Sequence, residues 1–275
     1  MLFATAYSVQ QHEVRYDTRW TANQDCNVTI TPDEDMEDVK VYYRLDGFYG
    51  SHKDYAGSRS YTQLRGESIS DTDAWSPVRY NRHIDSDLRS YLNNTLLTSS
   101  NIAYPWGLAA KNVYNDTLNS ITYEEENTSN ILDIPIDKTD IALSVDKDSR
   151  FSNVDGKEDE QWINMEDESF MVWMQIELFS NFKKLHGKIN RTLKKGTQYT
   201  FNIYYDDKYD QSGIERYIVL STTSVLGEDK VLGWIFFFAS LMMISLSIAM
   251  VYLEYLKAKG KLPYQKKNRY QANSI

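Results

Sequence analysis

A single cysteine, Cys26, is all that this 275-residue sequence contains, so no disulfide can close within the chain and no cysteine-based zinc site can form. Taken alone, one thiol points to a reducing compartment. Histidine is nearly as scarce. His12, His52, His83 and His186 lie far apart, without partners at metal-ligand spacing, which leaves them structural or surface roles. With only four of its five prolines between residues 14 and 228, and no low-complexity linker or internal repeat, that region reads as one domain. Excess positive charge is also missing. Thirty basic residues face 39 acidic ones, for a net charge of −9 and a pI near 5.0, which excludes broad binding along a nucleic-acid backbone. There is no G-x-S-x-G, no Walker loop and no dinucleotide fingerprint. Asp146-Lys-Asp148-Ser-Arg150 starts like a calcium loop but lacks the third ligand and the glycine that should follow. Asp206-Asp207-Lys208-Tyr209-Asp210 reads as a solvated turn. No catalytic, cofactor-binding or metal-binding constellation emerges, and the chain is read as a non-enzyme.

Aromatic residues are plentiful: 21 Tyr, 10 Phe and 6 Trp, with 41% hydrophobic residues overall, too many for a disordered chain. Charge vanishes altogether from Val231 to Leu253 (VLGWIFFFASLMMISLSIAMVYL). As a helix this stretch spans about 34 Å, enough to cross a hydrocarbon core of about 30 Å. Trp234 and Tyr252 sit near its ends, where amphipathic rings favour the membrane interface. Residues 254–275 then carry five lysines and Arg269 against Glu254, net +5, so the preceding 253 residues carry −14 of the total −9. Such a basic tail belongs in the cytosol, and the acidic bulk on the luminal or extracellular side. That side holds all five N-x-S/T sequons, at Asn27, Asn93, Asn115, Asn127 and Asn190, which are the expected glycosylation sites.

Between the ends, alternation of Val28 with Ile30, of Val39, Val41 and Tyr43, and of Tyr199, Phe201, Ile203 and Tyr205 predicts half-buried strands, and Tyr217–Leu220 a fully buried one. Val172, Ile176, Phe179, Phe182, Leu185 and Ile189 recur at steps of three and four and predict an amphipathic helix that ends near Gly187 and Gly196. The polar stretch from Ser76 to Ala103 reads as a surface insertion, and Glu124 to Asn130 and Asp155 to Glu160 as acidic loops. The expected fold is mainly β with some α: one antiparallel β-rich, glycosylated ectodomain over residues 12–228, a transmembrane helix over 229–253 and a basic cytosolic tail over 254–275. Residues 1–11 offer too short an apolar run for a signal peptide or a span, and are read as the remnant of a first membrane helix.

Three segments then stand out together. The first is Val41-Tyr-Tyr-Arg-Leu45-Asp-Gly-Phe48-Tyr49, with His52, Tyr55, Ser58-Arg59 and Gln63-Leu64-x-Gly66. The second is Pro105-Trp106-Gly107-Leu108-Ala109-Ala110, followed by Tyr114-Asn115-Asp116-Thr117. The third is Phe170-Met-Val172-Trp173-Met174 with Phe182-Lys-Lys184-Leu185, and then Leu220-Ser221-Thr222-Thr223 and Leu226-Gly227 before the apolar run. In this order they resemble the β-subunits of type-IV P-type ATPases, the lipid flippases (the ligand-effect modulator family). The resemblance implies a non-catalytic partner of a flippase α-subunit in a heterodimer. Such a partner escorts the α-subunit from the endoplasmic reticulum and stays bound while lipid moves to the cytosolic leaflet. It implies residence in the endoplasmic reticulum, Golgi, endosomal or plasma membrane, contact with membrane lipids, and no nucleic-acid ligand. The motif residues are expected in the ectodomain core, and Asn115, matching a sequon of the family, is the foremost glycan site.

The departures from the family concern cysteine. Trp75-Ser76-Pro77 and Pro105-Trp106-Gly107 stand where the family has the two halves of a disulfide, and Trp20 where another cysteine is expected. A contact between Trp75 and Trp106 would recover part of the lost stabilisation, and Cys26 would be the remainder of a disulfide framework. A single-span receptor or adhesion ectodomain is the alternative reading, and a membrane-anchored luminal hydrolase a more remote one.

Overall fold

The structure, a computed structural model, describes residues 9–17, 24–68, 77–124, 131–206, 213–222 and 230–260. Among the described residues eight strands form two four-stranded sheets, antiparallel throughout. One sheet contains β1 (Gln11–Arg15), β3 (Val39–Asp46), β6 (Asn181–Ile189) and β8 (Glu215–Thr222) in the order β1-β8-β3-β6. The other contains β2 (Gln24–Ile30), β4 (Thr117–Glu124), β5 (Ile131–Ile134) and β7 (Tyr199–Tyr205) in the order β2-β7-β4-β5. Inward-facing residues of both sheets meet in one core, as two half-apolar sheets must. Val39 and Val41 from β3 and Ile218 and Leu220 from β8 meet Val28, Ile121, Phe201 and Ile203 of the other sheet. Each large side chain so buried contributes about 1.5–3 kcal/mol. The predicted strands at 28–30, 39–43, 199–205 and 217–220 are β2, β3, β7 and β8.

Cys26 lies on edge strand β2, opposite Ile203, and is fully buried in this core. Burial pushes its thiol up to about 11, so at neutral pH it is a small apolar side chain rather than a nucleophile.

The helix predicted over 172–189 is not formed. A helix of two turns, Glu168–Met174, is capped by the Asp167 carboxylate, which accepts from the amides of Ser169 and Phe170. The chain turns extended at Gln175, and β6 begins at Asn181. Ile176 and Phe179, supposed members of an apolar face, are 44% and 75% exposed. The inward face of β6 is Phe182, Lys184, His186 and Ile189. Its alternation is masked in the sequence because two of the four residues are polar. A bulge at His186 shifts the register, so that Tyr42 faces Leu185 while Val41 faces Gly187. Gly187 is required there: a Cβ would collide with the Ile136 side chain and the Asp137 carbonyl of the adjoining segment.

The stretch read as a surface insertion is also corrected. Val78, Ile84, Leu88 and Ala103 are buried with Trp106 in a separate cluster, assembled from short turns without helical or strand period. A third cluster packs the loops and short helices over β3 and β6, with Leu45, Phe48, Leu64, Ala110, Phe170 and Trp173 at its centre.

Lys230–Ala258 form one 29-residue helix. Its 25-residue stretch Trp234–Ala258, which holds an 18-residue window of mean hydropathy 2.2, is long and apolar enough to cross a membrane. Large apolar side chains from Trp234 to Tyr255 are exposed all round it, as lipid-facing residues are. The expectations made for residues 1–8, Trp20, Trp75, Asn127, the turn beyond Asp206 and the basic tail beyond Gly260 fall outside the described residues.

Candidate functional site

Parts of the three segments singled out in the sequence pack together in the third cluster, and polar side chains bind their loops to one another; Thr223, Leu226 and Gly227 fall outside the described residues. Helices are numbered here as α1 (Lys53–Ala56), α2 (Tyr61–Leu64), α3 (Asn81–Ile84), α4 (Leu108–Lys111), α5 (Glu168–Met174) and α6 (Lys230–Ala258).

Buried loops must find partners for their peptide groups. Gln63, fully buried, supplies two. Its Nε2 donates to the Ala103 carbonyl at 3.0 Å, and its Oε1 accepts from the Trp106 amide at 3.0 Å. Ser58 Oγ accepts from the Leu108 amide at 2.9 Å. Trp173 Nε1 donates to the Ala109 carbonyl at 2.7 Å, and Trp162 Nε1 to the Pro105 carbonyl at 2.8 Å. Gly107 has φ +116°, and any Cβ would overlap the Ser58 backbone, so only glycine allows the second segment to press against the first.

The C-terminal end of α5 leaves carbonyls without partners inside the helix. Two buried cations take them. Lys184, on β6, donates to the Val172 and Gln175 carbonyls at 2.7 Å each and pairs with Glu177 at 3.2 Å. Burial pushes its ammonium down to about 8, against the opposing pull of Glu177. Arg59 donates to the Met174 carbonyl at 2.5 Å.

A second polar centre joins the two sheets. Tyr43 of β3 stacks on Tyr114, with ring centroids 3.9 Å apart. The Tyr114 hydroxyl meets that of Tyr16 at 2.8 Å, and Tyr16 donates to Asp116. Arg216 of β8 donates to both Asp116 oxygens at 2.8 Å, and the Asp206 amide adds a further bond at 3.0 Å. Burial raises the Asp116 carboxyl, while Arg216 and the Tyr16 hydroxyl oppose that rise.

Of the sequons, Asn27, Asn93 and Asn190 are exposed. Asn115 is half-buried beside the Asp116 centre, and its Nδ2 is enclosed without a partner among the described residues. The histidines take ordinary roles. His83 Nδ1 accepts from the Tyr80 amide at 3.4 Å at the start of α3, and His186 is buried. Asp146–Arg150 is a single π-helical turn. Among the described residues no three His, Cys, Asp or Glu side chains are grouped to hold a metal ion. Arg59 and Lys184 were legible only through the resemblance. The direct signal for Lys184 is a charge at an inward position of a period-two strand, which the sequence pattern disguises.

An antiparallel β-sandwich whose loops are cross-linked by buried polar side chains, on a chain that also holds a helix long and apolar enough to cross a membrane, fits the class of membrane proteins with a large folded domain. The match to a family model over residues 3–260 makes that class specific: the chain belongs to the LEM3 (ligand-effect modulator 3) / CDC50 family. It is 30% identical over 236 residues to "Putative ALA-interacting subunit 4" of Arabidopsis thaliana, covering 80% of this chain and 62% of that protein. It is 29% identical over 272 residues to "Cell cycle control protein 50C" of Macaca fascicularis, covering 82% and 73% respectively. It is 27% identical over 274 residues to "Cell cycle control protein 50A" of Mus musculus, covering 82% and 70%. The chain thus spans about three fifths to three quarters of the length of these relatives. The resemblance drawn from the three segments is borne out along nearly the whole chain.

Proposed function

We propose that this chain is the non-catalytic β-subunit of a type-IV P-type ATPase, a lipid flippase, and forms a heterodimer with the catalytic α-subunit. Family membership over residues 3–260 carries this reading, supported by relatives named as ALA-interacting subunits. The side chains that the family resemblance singles out are used here to bind loops together, which suits a partner that holds a shape and leaves ATP chemistry to the α-subunit. The domain over 12–228 faces the lumen or exterior, the span over 229–253 crosses the bilayer, and the basic tail over 254–275 lies in the cytosol. Export of the complex from the endoplasmic reticulum, and lipid movement to the cytosolic leaflet, depend on it. Its locations are therefore the endoplasmic reticulum, Golgi, endosomal and plasma membranes. Asn27, Asn93, Asn115, Asn127 and Asn190 are the glycan acceptors. At Asn115 the amide nitrogen that would bear the glycan is enclosed, so a glycan there requires the side chain to turn to solvent.

Uptake of fluorescent phospholipid by cells that lack this chain tests the reading. Uptake falls, and returns when the chain is restored. Normal uptake, with the α-subunit still leaving the endoplasmic reticulum, contradicts it.

A further inference from the structure

The cluster at the end of α5 has a second side. Arg59 is only 8% exposed, and its Nε is enclosed without a partner among the described residues. Its guanidinium has one hydrogen bond among them, to the Met174 carbonyl at 2.5 Å, and no carboxylate within ion-pair distance. Burial lowers its pKa, opposed only in part by the nearby Tyr61 and Tyr55 hydroxyls. Arg59 lines an open groove of about 610 Å³, within the size range of small-molecule sites.

Two further guanidiniums line that groove. Arg65 and Arg150 have side chains 51% and 61% exposed, paired with Glu67 at 3.3 Å and Asp146 at 3.1 Å. Glu67 is not part of the lining, and Asp146 is its one carboxylate. With Glu67 on Arg65 and Asp146 on Arg150, three arginines against two carboxylates leave the site an excess of one positive charge, that of Arg59, in a domain that is otherwise strongly acidic. Leu143 and Phe151 give it apolar wall as well.

We propose that this groove binds a phosphate-bearing amphiphile, its phosphate held by Arg59, Arg65 and Arg150 and its apolar body lying along Leu143 and Phe151. Three guanidiniums around one groove offer more donors than the two oxygens of a carboxylate can accept, and match the three free oxygens of a phosphate monoester. Guanidinium forks suit its oxygens. The inference goes beyond the flippase reading and does not rest on it.

The test titrates the full chain, purified in an uncharged detergent, by calorimetry. The probes are dihexanoyl phosphatidic acid, glycerol 3-phosphate with the same anion and no apolar body, and dihexanoylglycerol with the same body and no phosphate. The phosphatidic acid should bind at one site, more tightly than either control. Its affinity should fall about a hundredfold in the Arg65→Ala/Arg150→Ala variant, since each charged hydrogen bond lost costs about tenfold. It should be unchanged in Arg89→Ala, a surface arginine outside the groove. Arg59→Lys should weaken it as well, and the exposed double variant decides the matter should that protein fail to fold. Equal binding of glycerol 3-phosphate would reduce the site to a free-phosphate site and overturn the amphiphile. Equal binding of dihexanoylglycerol, or phosphatidic acid affinity unaltered by the double substitution, overturns the proposal outright.

Discussion

Arg216 reaches both carboxylate oxygens of Asp116 at 2.8 Å, across the two sheets of the sandwich. Their side chains are 9% and 0% exposed. Removing one member leaves the other charged and buried, the costly way to break such a pair. Arg216→Ala should therefore destabilise the domain by about 3–5 kcal/mol. Arg216→Met with Asp116→Leu should cost less than the single substitution, because neither charge is then stranded. Thermal unfolding of the purified chain measures both, and a single variant as stable as the parent contradicts the assignment.

His186 introduces a pH dependence. Burial holds its imidazole down at about 4, from an ordinary 6.5, with the charge of Lys138 acting in the same direction. The groups around it are the Tyr43 ring, edge-on at 6.4 Å, and Lys184 on the same inward face. A base with a lowered folded-state pKa binds protons more readily when unfolded, so its stability contribution is complete above about 6.5 and is lost as pH falls toward 4. Over that window the parent should lose on the order of 3 kcal/mol more than His186→Phe. Parallel stability curves for the two proteins would refute this.

Gly107→Ala should prevent the second segment from seating against Ser58, because the residue combines φ +116° with a blocked Cβ position. Strain and displacement together put the loss at about 3 kcal/mol or more. Gly196→Ala has φ +75° but open space around it, and should cost only about 1 kcal/mol. Soluble yield and melting temperature of the pair separate crowding from backbone strain.

Cys26 should resist maleimide in the folded protein and react once it is unfolded, as its burial and raised pKa require. Mass spectrometry before and after denaturant reads this directly. Fast native labelling would mean that the edge of the β2 sheet opens.

Strands β2, β3, β7 and β8 were legible because their inward positions are apolar and regularly alternating, which is the pattern a half-buried strand imposes. β6 was not, because Lys184 and His186 occupy two inward positions and a chance three–four spacing of Phe179, Phe182, Leu185 and Ile189 imitates a helix. The cluster around Val78, Ile84, Leu88 and Trp106 was also hidden: burial in short turns follows tertiary contacts and leaves no period. The partners of Gln63, Arg59 and Lys184 are backbone carbonyls and amides of distant loops, which no local pattern encodes. Resemblance identified the residues, and the geometry supplied their work.

Affinity purification of the full chain in mild detergent, followed by mass spectrometry, tests the central claim most directly. The account predicts a type-IV P-type ATPase α-subunit in near one-to-one ratio. Recovery of a correctly folded chain without any P-type ATPase would contradict it.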